Sequence, residues 1–184
     1  HRYAGIDLLA TLPAAGEQAA EPDRAHLEAQ ARSVSVRVAA DDAWSDIFAR
    51  VLVERIESRL GLGRATILDE YPTHEAALAR PCGHDPRVAE RFELYVCGIE
   101  LANAFGELTD AAEQRRRFEA EMAHKQAVYG ERYPIDEEFL AALALMPPAS
   151  GAISTTSSRS FYDSAEVVNN LECFPPRVAE VEGA

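Results

Sequence analysis

Three polar side chains in the segment GIELANAFGELTD, residues 98–110, have types and spacing suited to binding a cation. Glu100, Asn103 and Glu107 alternate there with alanines and a glycine, which leave one strand face nearly bare and open to a ligand. Carboxylate oxygens beside such a cleft accept hard positive charges, either a divalent metal or an ammonium group. The pattern therefore predicts a cation-binding site along this segment.

The spacing of these side chains sets a geometric condition on that site. In a regular strand Asn103 and Glu107 share one face and Glu100 lies on the other. A single site therefore requires a β-bulge or twist between Glu100 and Asn103, which Gly98 and the small residues nearby permit. The same pattern is also typical of an edge strand protected by outward charges, and the residues alone leave both interpretations open.

The surrounding sequence predicts an antiparallel sheet. RVAERFELYVCGIELANAF, residues 87–105, is typical of two strands joined by a tight turn at Cys97 and Gly98. One face of the first strand would carry Phe92, Leu94 and Val96. RATILDEYP, residues 64–72, predicts a further short strand that ends at its proline.

Helical periodicity appears in segments on both sides of these strands. Residues 41–63 carry apolar side chains at helical spacing, with Asp41 or Asp42 as the predicted N-cap. A second, shorter helix is predicted over residues 136–146. It must end there because prolines follow directly.

A helix is also predicted directly after the polar segment. Thr109 or Asp110 would cap it, and it would run through AAEQRRRFEAEMAHKQAVYGER, residues 111–132. Its buried side would carry Phe118 and Met122, which are four residues apart. The basic run at 115–117 is predicted to be a solvated helix face.

Cysteine usage does not predict a metal centre. Cys82, His84 and Asp85 are close in sequence, but a tetrahedral zinc site usually takes four ligands from two separated pairs, and no matching second pair is present. Cys97 and Cys173 add no close spacing. The cysteines therefore predict small buried thiols in a reducing compartment.

Composition bounds the class of protein. The chain has 184 residues, of which 47% are hydrophobic and 27% charged, as expected for a globular domain. Its net charge of −13 repels phosphate backbones, which disfavours nonspecific nucleic-acid binding. No run of about 18 apolar residues and no signal peptide is readable, so a cytoplasmic protein without a membrane span is predicted. The start at His1 is expected of a fragment.

The run from EYPTHEAALAR through DPRVAERFELYVCGIELANAFGELTDAAEQRRRFE to MPPASG closely resembles the C-terminal half of the catalytic domain of class II lysyl-tRNA synthetases. It resembles still more their short paralogues, the elongation factor P lysine ligases. The resemblance covers about Tyr71 to Gly151. It implies an α+β fold, with an antiparallel sheet flanked by helices, as a partial class II aminoacyl-tRNA synthetase catalytic domain in residues 1–150. Residues 151–184 would be an atypical, weakly ordered tail.

The resemblance also implies an activity. Lysine or β-lysine would first be joined to AMP, with ATP and Mg²⁺, and then transferred to elongation factor P or to tRNA. Glu100 would bind the magnesium and the ATP, with the backbone of Leu101 near the nucleotide. Asn103 would orient the amino acid and Glu107 would pair with its side-chain ammonium. No catalytic residue is assigned, because the attacking substrate carboxylate is already ionised and requires no general base. The complete protein would be a homodimer.

Two departures from the family pattern leave other readings open. The family's arginine-bearing ATP motif would lie before this chain, and after MPPASG the sequence AISTTSSRSFYDS does not place Arg159 in the family's nucleotide-binding pattern. A noncatalytic remnant or regulatory module that keeps an amino-acid pocket is therefore one alternative. A dimerising interaction domain is another.

Overall fold

The computed structural model describes residues 3–15 and 20–154. Four strands form one antiparallel sheet in the order β1-β2-β3-β4: β1 Thr66–Pro72, β2 Val88–Val96, β3 Ile99–Gly106 and β4 Ser150–Ser154. The helices are α1 Arg24–Ser33, α2 Trp44–Val51, α3 Ala111–Tyr129 and α4 Glu137–Leu143. The predicted α+β class, an antiparallel sheet flanked by helices, is confirmed.

The first two helices build a core of their own. The indole Nε1–H of Trp44 donates a hydrogen bond of 3.1 Å to the buried hydroxyl of Thr11, so the polar end of the ring is satisfied inside this core. Apolar side chains from both helices and their flanking segments surround this pair: Ile6, Leu27, Ala31, Val36, Val38, Ile47 and Val51. Burial of these side chains holds the helices together.

The start of α2 differs from its prediction. Ala43 is the N-cap, and the Asp46 carboxylate accepts from the Ala43 N–H at 2.7 Å. Asp42 does not cap the helix, because its carboxylate accepts from Ala39 N–H and pairs with Arg50. The helix ends at Val51 and the chain continues through a π-helical turn, Leu52–Ile56, and a 3-10 turn, Glu57–Arg59.

The turn between β2 and β3 has the predicted tight geometry. Cys97 and Gly98 both have positive φ angles, 52° and 78°, as a type I′ hairpin turn requires. The turn also contacts the end of the preceding helical segment, since Cys97 N–H donates to Gly61 O and Gly98 N–H to Leu60 O. Gly61 has a positive φ of 74°, and a Cβ there would lie 2.7 Å from the backbone at Cys97. These contacts fix the end of the hairpin.

Cys82 and Cys97 are buried thiols, as predicted, whereas Cys173 lies outside the described residues. Strand β4 pairs with β3 and extends into the segment 151–184 that was predicted to be weakly ordered. The rest of that segment, with Arg159, also lies outside the described residues. The proposed boundary between the domain and the tail stays a prediction.

Helix α3 buries a different side from the predicted one. Asp110 caps it as expected, accepting from the N–H groups of residues 112 and 113. Arg117, predicted to be solvated, is instead 8% exposed, while Phe118 and Met122 are half-buried. The Arg117 guanidinium satisfies backbone carbonyls of the loop after β1, which draws this face of the helix inward. No helix in the described residues is both long and apolar enough to cross a membrane.

Candidate functional site

Glu93 on β2 is the centre of a buried polar cluster. It is 5% exposed, and its Oε2 atom accepts hydrogen bonds from the hydroxyls of Tyr71 and Tyr95, the latter at 2.7 Å. Its Oε1 atom accepts from Arg91 Nη2 at 2.6 Å and from Asn103 Nδ2 at 3.1 Å. The partners come from three adjacent strands, so the carboxylate ties β1, β2 and β3 together on one face of the sheet.

A β-bulge in β3 brings Glu100 to the same face. Asn103 lies opposite Glu93, and Glu100 lies opposite Tyr95. Glu93 and Tyr95 are two positions apart on β2, whereas Glu100 and Asn103 are three positions apart on β3, and Leu101 is the additional residue. Residues directly opposite each other share a face, so Glu100 and Asn103 lie on one side of the sheet. The bulge that the sequence required for a single site is present.

The carboxylates of this face are close enough to affect one another. Burial raises the pKa of Glu100, and the negative charge of Glu93 raises it further. Burial and the charge of Glu93 also raise the pKa of Glu57, a residue in the 3-10 turn that follows α2. A cation placed among these carboxylates would be attracted by all of them.

Arg91 is held on several sides rather than free to move. Its guanidinium lies over the ring of Tyr71, 4.3 Å from the ring centre, and donates to the backbone oxygen of Glu75 at 2.7 Å. It also donates to Glu93 and, at 3.4 Å, to the side-chain oxygen of Asn103. These contacts orient the Asn103 amide, with its nitrogen toward one carboxylate and its oxygen toward the guanidinium.

The tyrosines of the cluster act as hydrogen-bond donors. Burial raises the pKa of Tyr71, and its hydrogen bond to Glu93 raises it further. The pKa of Tyr95 is raised for the same reasons in the same order. Both phenols therefore stay protonated at neutral pH. They can donate the hydrogen bonds that position Glu93, but they cannot act as bases.

Glu107 lies beyond the end of β3, on the side that continues from Asn103. Strand alternation places it on the face of Phe105, whose partner in β4 is Gly151. The Glu107 carboxylate lies against Gly151, where a Cβ atom would collide with its Oε1. Among the described residues, no ion pair or side-chain hydrogen bond engages this half-buried carboxylate. It can therefore receive a positively charged ligand group.

The structure thus groups most of the predicted site residues and adds others. Glu100 and Asn103 meet on one face, Leu101 forms the bulge, and Glu107 lies further along the same side. Sequence analysis missed the centre of the cluster, Glu93. A signal for it was available, because ERFELY places charged or hydroxylated side chains at every second position of a predicted strand.

The missed face is also the more buried one. On β2, Tyr95 is 2% exposed and Glu93 5%, whereas Phe92, on the apolar face that the sequence picked out, is 40% exposed. Hydrogen bonds from neighbouring strands offset the desolvation of Glu93, which permits a carboxylate where an apolar side chain is usual.

The antiparallel sheet, whose central strands present carboxylates and an amide to one face, agrees with the fold that the sequence resemblance implies. Residues 43–160 match the family model described as tRNA synthetases class II (D, K and N). The chain belongs to this family.

Curated relatives narrow the comparison. The chain is 40% identical over 151 residues to the elongation factor P–(R)-β-lysine ligase of Sodalis glossinidius (strain morsitans). The aligned region covers 82% of this chain and 44% of the relative. It is 37% identical over 150 residues to the ligase of the same name from Haemophilus ducreyi (strain 35000HP / ATCC 700724), covering 81% of this chain and 42% of the relative. The corresponding ligase of Proteus mirabilis (strain HI4320) is 48% identical over 102 residues, covering 55% of this chain and 31% of the relative. The chain thus spans less than half the length of these relatives.

Proposed function

We propose that this chain is part of an ATP-dependent ligase that activates lysine or β-lysine as an adenylate and transfers it to elongation factor P. The observation that carries the proposal is the clustering of Glu100, Asn103 and Glu107 along one side of β3, made possible by the bulge at Leu101. The names of the relatives support the choice of β-lysine and of elongation factor P. A tRNA is the alternative acceptor.

Glu107 is the proposed recognition group for the amino-acid side chain. Its carboxylate is half-buried and meets no cation among the described residues, so the ammonium group of lysine or β-lysine would complete an ion pair there. Removing one partner of a buried ion pair costs about 3–5 kcal/mol, which corresponds to roughly two to three powers of ten in affinity. That magnitude is enough to separate lysine from neutral analogues of similar size.

The acidic cluster fits a magnesium ion. The raised pKa values of Glu57 and Glu100 both reflect neighbouring negative charge as well as burial. A divalent cation relieves that repulsion, and Mg²⁺ is commonly held by one or two carboxylates together with substrate phosphates. Glu100 would hold the ion, with the backbone of Leu101 near the nucleotide, while Glu93 stays engaged by Arg91 and the two tyrosines. When bound, the ion would neutralise charge on the phosphates of ATP.

The remaining residues would position the reactants. Asn103 is fixed between Glu93 and Arg91, so it is preorganised to orient the amino acid. In adenylation, the substrate carboxylate attacks the α-phosphorus of ATP, a carboxyl-oxygen-to-phosphorus bond forms, and pyrophosphate leaves. The attacking carboxylate is already ionised at neutral pH, so the reaction needs no general base. The tyrosines of the site can therefore stay protonated.

The proposal extends to the assembly and location of the complete protein. We place it in the cytoplasm, because its relatives are named for a translation factor. We also propose a homodimer, as sequence resemblance implies for the whole enzyme.

Calorimetric titration with a nonhydrolysable lysyl-adenylate analogue tests the proposal. The parent chain is expected to bind saturably, and Glu107→Gln is expected to weaken binding by roughly two to three powers of ten. Glu119→Gln is the matched control, because Glu119 is an exposed carboxylate on α3. A folded parent chain that does not bind would contradict the proposal. Binding of free lysine without any nucleotide binding would favour a noncatalytic amino-acid-binding module instead.

A further inference from the structure

A second group of ligand-type side chains lies away from the Glu93 cluster, where β1 meets the loop that follows it. Glu70 is at an irregularity in the β1–β2 register and has a positive φ of 58°, a conformation that few residues other than glycine adopt. Its Oε1 atom lies 3.0 Å from Nε2 of His84. The carboxylate of Glu70 therefore meets a histidine that is fourteen residues away in sequence.

Cys82 completes this group. Its thiol, the imidazole of His84 and the carboxylate of Glu70 each offer one ligand atom, and these atoms lie within 4.8 Å of one another. Cys82 is 7% exposed, and its N–H donates to Val88 O at 2.8 Å, so the loop backbone holds the residue in place along the start of β2. Three donors of different type thus converge from two segments of the chain.

Charge at this location is negative and partly uncompensated. Asp85 is bound by the guanidinium of Arg87 and is therefore not available to the group, although it is next to His84 in sequence. Glu90 is likewise paired with Arg80. In the part of the chain that the structure describes, neither Asp69 nor Glu70 is paired with a lysine or arginine.

We propose that Glu70, Cys82 and His84 bind a Zn²⁺ ion, at a site separate from the amino-acid-activating face. Sulfur, imidazole nitrogen and carboxylate oxygen are the donors that Zn²⁺ takes in proteins. In a tetrahedral zinc shell, ligand atoms are about 3.3–3.6 Å apart, given metal–ligand distances of about 2.0–2.3 Å. The oxygen–nitrogen distance of 3.0 Å is close to that value, and the Cys82 sulfur lies within 4.8 Å of both atoms, so the side chains would move inward onto the ion.

The surroundings leave a fourth coordination position open. Glu70 and Cys82 line a cavity of about 470 Å³, together with Asp69, Phe92 and Ala104. Side-chain alternation places Phe92 on the opposite face of the sheet from Glu93, so this cavity and the acidic cluster are on different sides. A water molecule from this cavity would occupy the fourth position. The ion would tie the loop between β1 and β2 to β1 at Glu70.

Sequence spacing alone does not reveal this site. Cys82 and His84 are the close pair, but the third ligand comes from a different strand, and the acidic neighbour Asp85 is engaged by Arg87. The pattern of two separated pairs that signals zinc in a sequence is therefore not required here.

Cobalt(II) titration of the 184-residue chain without a histidine tag tests the site, because Co²⁺ replaces Zn²⁺ and gives a thiolate charge-transfer band. A variant that keeps Cys82 as its single thiol, Cys97→Ser/Cys173→Ser, is expected to show the band at one ion per chain. Cys82→Ser is expected to lose it. Persistence of the band in Cys82→Ser would overturn the proposal and indicate adventitious binding by another thiol.

A second pair of variants separates the proposed ligand set from general negative charge. Glu70→Gln is expected to weaken Zn²⁺ binding by more than about tenfold, since loss of even an outer-shell partner commonly costs 10–100-fold. Asp85→Asn removes the same charge from a neighbouring residue outside the set and is expected to leave affinity unchanged. Equal effects of the two substitutions would contradict the proposal. Circular dichroism of the metal-free proteins verifies that both variants fold.

Discussion

Glu100 and Asn103 lie on the same face of β3 although three positions separate them, because Leu101 is an additional residue in the strand. Regular alternation would place them on opposite faces. Each faces a fixed partner on β2: Glu100 lies opposite Tyr95, and Asn103 lies opposite Glu93. Strand β3 pairs with both β2 and β4, so it is not a charged edge strand, and the bulge places both polar side chains on the face of the proposed binding site.

Glu93 is expected to be a stability residue as well as a site residue. Glu93→Gln would leave the Arg91 guanidinium without its carboxylate partner. Because the Arg91 side chain is 23% exposed and the Glu93 side chain 6%, the substitution should lower the free energy of unfolding by about 3 kcal/mol. Chemical denaturation measures the change. The matched control is Glu90→Gln on the same strand. Glu90 and its partner Arg80 are 38% and 37% exposed, so this substitution should lower the free energy of unfolding by less than about 1 kcal/mol. Similar losses in the two variants would refute the central role of Glu93.

Gly151 is expected to set the position of the Glu107 carboxylate. In Gly151→Ala, the new methyl group would meet Glu107 Oε1, and the flexible carboxylate would move aside. We expect roughly tenfold weaker binding of a lysyl-adenylate analogue, with a change in unfolding free energy below about 1 kcal/mol. Gly83→Ala is the control, since a Cβ at Gly83 meets no atom within 4 Å.

A double-mutant cycle makes the Gly151 prediction specific. If the substitution acts through Glu107, Gly151→Ala should have no further effect on analogue affinity in a Glu107→Gln background. Additive effects on affinity would show that Gly151 acts by another route.

Arg117 is expected to hold α3 against the loop after β1. Its Nη1 atom donates to the carbonyl oxygens of Ala76 and Ala79, at 2.8 and 3.0 Å. Arg117→Leu would leave these buried acceptors without their donor, so we expect a loss of about 2–4 kcal/mol in unfolding free energy. Arg116→Leu should cost less than about 1 kcal/mol, because that side chain is exposed and its partner Glu113 also binds Arg117. The opposite ranking in a denaturation experiment would disprove the assignment.

Asp42 gives a prediction about acid stability. Hydrogen bonds from Arg50 and from Ala39 N–H lower the pKa of Asp42 from 3.8 to about 2. Because the folded-state pKa is lowered, the unfolded chain binds the proton more readily. The stabilisation is present above about pH 4 and is lost as the pH falls toward 2.

Thermal melts from pH 5 to pH 2 check the Asp42 prediction. Between pH 4 and pH 2, the melting temperature of the parent chain should fall further than that of Asp42→Asn, because the asparagine side chain does not titrate. Parallel curves for the two proteins would show that Asp42 is not responsible.

Local sequence determined much of the fold. The hairpin turn at Cys97 and Gly98, the end of β1 at Pro72 and the cap of α3 at Asp110 were all predictable, because each depends on the backbone preferences of a few adjacent residues. Predictions failed where a distant group competes for a side chain. Asp42 caps no helix since Arg50 binds it, and Arg117 is buried since backbone carbonyls of another segment accept hydrogen bonds from its guanidinium.

The sequence by itself also determined the family and pointed to the segment of the proposed site, since residue types and their order in GIELANAFGELTD are local information. Tertiary structure decided which side chains meet. The face of Glu100 depends on the register between β2 and β3, and the burial of Glu93 depends on donors from three strands. The convergence of Glu70 with Cys82 and His84 depends on how the loop returns to β1. Pairing between strands fixes these relationships, and no single stretch of the chain encodes that pairing.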